Sequence, residues 1–449
     1  MNIDNKTIKV PKLKADGVVL KKTAIANIIL IISLTSPAFI PYKFIPLVVL
    51  IFAIILVFMS SFRFPSGLGF IVVPIAVIMC AGMIFSLDNS PYLIGKDLWY
   101  VSKPVLIMFV GYMLMFHIVD LKKIFQAILI SSSITALIHI YDYIMLPEYL
   151  KTSLVSIRSE AGDGYFITII AIAVIAVAWR ARIKIFPRYS WLAWILAILA
   201  LISICLAFSR TLWVSLFIML TIVLELYNYR NIRRVALYTT LLFVLAFIVF
   251  STSDSERFGD KKTTMGKLAN SIKEISISDY SNRLEITRNW RGYQSHRGVE
   301  TYLEGSAPEY IFGRGFGTMI DMELYAVVGK DLRPIRYVPM THNGYVFILV
   351  KAGLVGLIVF LFYLYRFFHL SLFYSKSDNR YTYITAKIVM ALTFVLAFTT
   401  IIILGFFTKF IMTPFLVVYG ALIAFMRLHE YDDDGNPVEA NTCNNEELR

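Results

Sequence analysis

Charge is what this sequence has least of. Of its 449 residues only 16% are Asp, Glu, Lys or Arg, against 58% that are hydrophobic. Soluble domains carry about 25% charge, so a soluble globular chain is excluded. There are only three cysteines, Cys80 and Cys205 inside apolar runs and Cys443 in a polar tail, which offers no disulfide framework and no thiol-ligated metal site. The sequence has no His-Glu-X-X-His pattern, and His117, His139 and His369, in or beside apolar spans, are not read as metal ligands. A metal-independent chemistry without a cofactor is expected. Alternating segments of about ten residues, the mark of a membrane β-barrel, are also missing. No small-residue cleavage pattern follows the basic N-terminal stretch, so the first apolar run is expected to remain as an anchor.

What the chain has instead is long apolar runs, roughly 17–22 residues each, about the length that crosses a bilayer's hydrocarbon core as helix. Twelve spans are expected, near 24–40, 44–60, 68–86, 101–119, 124–145, 165–179, 190–207, 211–228, 235–251, 343–365, 384–404 and 410–426. The expected fold is an all-α polytopic integral membrane protein. The net charge of +13 is read as topology rather than as a nucleic-acid surface, because Lys and Arg gather in cytoplasmic loops. Lys6, Lys9, Lys12, Lys14, Lys21 and Lys22 place the N-terminal tail, 1–23, in the cytoplasm. Alternation then puts Lys122-Lys123, Arg180 to Arg188, Arg230 to Arg234 and Arg366 to Arg380 inside, with base-poor short loops outside. Spans one to nine fill 24–251 and the last three fill 342–426. Between them lies one large outer loop, 252–341, expected to hold short helices. The acidic tail 427–449 returns to the cytoplasm and is expected to be disordered.

The outer loop is nearly neutral, with 13 Lys/Arg and 12 Asp/Glu, but its bases are clustered. Arg283, Arg288, Arg291 and Arg297 fall close together against one acid, Glu285. The stretch 281–291 lacks Pro and Gly, which suits a short amphipathic helix. Arginine's planar fork suits phosphate. The alternative for such a stretch is a solvated or headgroup-facing basic helix. Arg210 stands in an almost unbroken apolar stretch, so the turn there is very tight or the guanidinium is partly immersed. Gly313-Arg314-Gly315-Phe316-Gly317 is a glycine-rich turn, a kind that can expose backbone N–H groups to phosphate or serve as a loop only. His342 opens the tenth span, at the boundary of water and membrane, and imidazole suits proton transfer near neutral pH. Below it, Gly353 and Gly356 would let another helix approach closely.

The order of these pieces resembles the O-antigen ligase and polysaccharide polymerase superfamily of bacterial inner-membrane glycosyltransferases. Ser209-Arg210 ends a span, the loop arginines and glycine turn follow, and His342-Asn343 is separated by nine residues from Gly353-Leu354-Val355-Gly356. The resemblance implies a GT-C-like protein. Its donor would be a glycan on undecaprenyl diphosphate, facing the periplasm. A ligase delivers that glycan to lipid A–core. A polymerase delivers it to another lipid-linked glycan. Other members of the polysaccharide assembly pathway would be its protein partners, beside the membrane lipids, and nucleic acid would not. By the same resemblance His342 and Arg210 would be catalytic, and Arg283, Arg288, Arg291 and Arg314 would bind diphosphate. Asn343, Gly313, Gly315, Gly317, Gly353 and Gly356 would shape the site. A flippase or exporter for lipid-linked sugars is the alternative from another class. It would want more charges along the spans than Lys103, Arg210, Glu225 and Lys351, and no related halves are visible.

Overall fold

The computed structural model describes residues 17–65, 67–150, 157, 160, 162, 164–226, 286, 289–327, 334–407 and 410–428. The expected ninth span, Arg283, Arg288 and most of the acidic tail lie outside them. Eight helices come first: α1 (Gly17–Phe39), α2 (Ile45–Met59), α3 (Gly69–Met83), α4 (Pro91–Ile118), α5 (Leu121–Met145), α6 (Phe166–Arg180), α7 (Ser190–Leu206) and α8 (Arg210–Val223). The segment expected to lie outside, hereafter the outer segment, follows as α9 (Trp290–Leu303), α10 (Ala307–Phe312), β1 (Ile320–Val327) and β2 (Pro334–Val338). The chain returns to the bundle with α11 (Gly344–Tyr374), α12 (Arg380–Ile403) and α13 (Thr413–Leu428).

Five of these helices, α1, α4, α5, α11 and α12, are long and apolar enough to cross a membrane, and six more are apolar but shorter. The architecture is a multi-pass helical bundle. Its apolar core is continuous from α1 to α13. At the centre α4 and α13 lie nearly backbone to backbone, since a side chain at Gly420 would strike the Met108 carbonyl. Small residues permit this kind of dispersion-driven approach between helices.

Two elements differ from the sequence expectation. The outer segment is not purely helical: β1 and β2 form a two-stranded antiparallel ribbon, with Ile320 opposite Val338. Its strands pair because Tyr293 and Trp290 of α9 cover Ile320, Met322 and Val338 on one face. Helix α4 also begins ten residues before the expected span, at Pro91. The added turns carry Lys96 and Asp97, which had read as loop.

Asp97 is the reason those turns matter. Its carboxylate is buried and meets the buried Lys351 ammonium of α11 at 2.6 Å. The same oxygen, Oδ2, accepts the Gly317 N–H at 2.7 Å, and Lys351 Nζ also donates to the Thr318 carbonyl. One ion pair thus joins α4, α11 and the glycine turn. Removing one partner of such a pair leaves an uncompensated charge, typically costing about 3–5 kcal/mol. Lys351→Met or Asp97→Leu should each lower the detergent-solubilised protein's thermal midpoint sharply. The double variant should recover part of that loss, and strictly additive losses would contradict the pairing.

Candidate functional site

His342 is held by its neighbours in sequence. Asn343 is the N-cap of α11, and its side chain accepts from the N–H groups of Tyr345 (3.0 Å) and Val346 (3.3 Å). Thr341 Oγ donates to the Asn343 carbonyl at 2.8 Å. The two Asn343 bonds satisfy orphan donors at the helix start, and the imidazole is left just outside it, half-buried.

The ring is oriented from α9. Gln294 is buried, and its Oε1 is hydrogen-bonded to His342 Nδ1. An amide oxygen only accepts, so in this orientation Nδ1 donates, and in the neutral ring the lone pair is then on Nε2. Helical spacing explains how Gln294 arrives there. Gln294, Gly298 and Tyr302 share one face of α9. That face lies on α11, so closely that a side chain at Gly298 would meet Val346 and Thr341, with Tyr302 packed beside Val346 and Val350. The adjacent face carries Tyr293 and Arg297 and is tied to β1. Tyr293 donates to the Met322 carbonyl at 2.6 Å, and Arg297 Nε donates to the Asp321 carbonyl at 2.8 Å. Sequence reasoning missed Gln294. Its signal was present, however: an uncharged polar residue one turn before Gly298, whose missing side chain lets that face approach its neighbour.

The helix expected over 281–291 lies mostly outside the described residues. A described helix starts at Trp290 and continues through Gly292 and Gly298 to Leu303. Arg291 lies in its first turn, three residues before Gln294 and on the same side, partly exposed.

Arg210 takes the first position of α8, after a three-residue connection, 207–209. The very tight turn is therefore the observed one. Its depth follows from the opposite end of the helix. Glu225 accepts from Lys387 (2.8 Å) and Tyr383 (2.8 Å) of α12 and pairs with Arg180 of α6. Arg210 precedes Glu225 by fifteen residues, about 22 Å at the helical rise. The same rise along α12 from Lys387 ends near Thr400 and Leu404, the residues that pack on Gly344. Arg210 and His342 therefore stand at the same end of the bundle, at similar depth.

Most N–H groups of the glycine turn are donated within the protein: Arg314 to the Val350 carbonyl (2.8 Å), Phe316 to the Gly82 carbonyl (2.9 Å) and Ser86 Oγ (2.8 Å), and Gly317 to Asp97. The Arg314 guanidinium is likewise engaged, by the Thr301 carbonyl (2.8 Å), Glu304 (3.4 Å) and Glu309 (3.8 Å). It fastens α9 and α10 to the turn. Gly313, Gly315 and Gly317 all have positive φ, which glycine adopts without the Cβ penalty. The close approach expected at Gly353 is present, and the partner is the end of α10 and the turn that follows it. Gly353 has φ 65° and ψ −161°, breaking α11, and a side chain there would strike the Gly313 N–H and Ile311 carbonyl. A side chain at Gly356 would meet only Ala352 and Ile348 of α11 itself.

Residues 195–361 match a protein-family model described as O-antigen ligase. That range holds Arg210, Gln294, the glycine turn, His342 and both α11 glycines. It supports the superfamily resemblance and points to an O-antigen ligase- or polymerase-like glycosyltransferase. No curated protein matches the chain.

The ribbon beneath α9 carries the clearest pH dependence. Arg336 forks onto Asp321 through two bonds, 2.7 and 2.6 Å, and holds its carboxyl down at about 2. A free aspartate titrates near ~3.9. The pairing therefore stabilises fully above about pH 4 and is lost as pH falls from there through about 2. Amide exchange of β1 and β2 should accelerate across that window. Asp321→Asn should already exchange faster at neutral pH and show no further acid step.

Proposed function

We propose that this chain is a membrane glycosyltransferase of the ligase type. It moves a glycan from undecaprenyl diphosphate to lipid A–core at the periplasmic face of a bacterial inner membrane. The observation that carries this reading is the Gln294–His342 pair at the outer start of α11, level with Arg210 and inside the matched region. In this reading the acceptor hydroxyl attacks the anomeric carbon while His342 Nε2 takes or orients its proton. Gln294 keeps the lone pair on that nitrogen. Arg210 and Arg291 bind the diphosphate and stabilise charge on the departing oxygen. Arg283 and Arg288, just before α9 in sequence, are further candidates for that role. Diphosphate leaves readily, so no separate general acid is required, and one direct displacement inverts the anomeric centre without a metal.

The buried charges support an enzyme over a flippase. Asp97 and Lys351 neutralise each other, and Glu225 is tied to Lys387 and Arg180 at the inner end. This pairing supplies no charged track along the bundle among the described residues.

His342→Ala, once shown to insert normally, should reduce transfer from polyprenyl-diphosphate glycan in proteoliposomes by about 10²–10⁴-fold. Unchanged turnover would sink the assignment. Gln294→Leu should lower kcat by about tenfold or more with a smaller effect on KM, because it disturbs proton handling rather than diphosphate binding. A strain lacking the gene should accumulate long chains on the lipid carrier. A single repeat on lipid A–core would instead identify a polymerase.

A further inference from the structure

A cavity of about 570 Å³ opens between the C-terminal end of α6, the 181–189 connection and the first turns of α7. It lies at the opposite end of the bundle from His342, because Arg180 at the close of α6 pairs with Glu225 at the close of α8. The connection is fixed rather than loose. Ile183 N–H donates to the Ala178 carbonyl at 2.8 Å, and Gln126 Nε2 donates to the Ile185 carbonyl at 2.9 Å. Ile185 is buried and Ile183 half-buried, so the alternating Arg182 and Lys184 face outward. Both cations line the cavity, and no carboxylate does so among the described residues.

Apart from Arg180 and Ser190 the remaining walls are apolar. Ile175 and Ala178 come from α6, and Ala193 and Trp194 from α7. Trp179 and Trp194 are 59% and 53% exposed, the placement of indoles at a membrane–water interface. Arg180 is engaged by Glu225 and the Leu224 carbonyl, so the positive charge facing the cavity comes from Arg182 and Lys184. A small polar anion would leave the indole and isoleucine walls idle. A neutral lipid would leave the two cations without a counter-charge. An amphiphile with an anionic head satisfies both, and the volume falls within the range of about 300–1,000 Å³ for ligand sites.

We infer that this cavity is a binding site for an anionic phospholipid, with its phosphate against Arg182 and Lys184 and its acyl chains along Ile175, Ala193 and Trp194. The site is independent of the proposed glycosyl transfer.

Native mass spectrometry of the whole protein, released from micelles holding equal phosphatidylglycerol and phosphatidylcholine, tests this. The wild type should retain one tightly held phosphatidylglycerol more than the double variant Arg182→Gln/Lys184→Gln. Occupancy of that site should favour phosphatidylglycerol over phosphatidylcholine by about 30-fold, from two basic residues near a lipid surface. Ala193→Phe, which fills the apolar wall but keeps both cations, should also lose that lipid. Equal retention of the two lipids at the site would overturn the proposal, as would an unchanged lipid count in the double variant. Displacement of the lipid by millimolar inorganic phosphate would reduce the site to one for a simple anion and would equally overturn it.

Discussion

The buried pair of Asp97 and Lys351 fixes where the outer segment sits on the bundle. Neither side chain is solvated, so each needs the other, and the geometry that joins them also collects Gly317 N–H and the Thr318 carbonyl. The glycine turn is thereby held over α4 and against α11. From the turn, Arg314 reaches back to α9 and α10. From α9, Gln294 reaches His342. The orientation of the imidazole thus rests, through a short series of polar contacts, on one ion pair lying about two turns of helix below it.

The arginines differ in where the fold places them. Arg297, Arg314 and Arg336 are each bound by carboxylates or carbonyls of the same segment. They hold its helices and ribbon together. Arg291 of α9 and Arg210 of α8 stand at helix starts, partly exposed, where the N-terminal end of the helix dipole adds positive potential. Clustering of bases in the sequence does not show which of them heads a helix.

The apolar runs made the bundle legible, because run length and loop charge both follow from the physics of the bilayer. His342 was legible too, as a titratable residue at the edge of an apolar run, whereas the capping role of Asn343 emerged only from the structure. The ribbon was not: its strands are short, and their pairing depends on cover from α9 rather than on their own alternation. Asp97 was hidden because the segment before the apolar run looks like loop, and only the distant Lys351 makes a buried carboxylate tolerable there. The glycine turn was legible as a tight backbone feature, but its partner was not. Periodicity shows that backbone can come close, not which backbone does.

The break at Gly353 divides α11 unequally. Its outer piece, 344–352, is joined to the turn through the Val350 carbonyl, which a continuous helix would direct to Leu354 N–H. That piece is also pinned to the bundle: it carries Lys351 to Asp97 of α4, and Thr400 and Leu404 at the end of α12 pack on Gly344 at its head. The left-handed backbone at Gly353 turns the chain between the short piece and the longer remainder. The imidazole is therefore registered from two sides at once, by Gln294 on α9 and by the bundle residues under Gly344, so its reach to the head of α8 is set by the bundle and not by a loop.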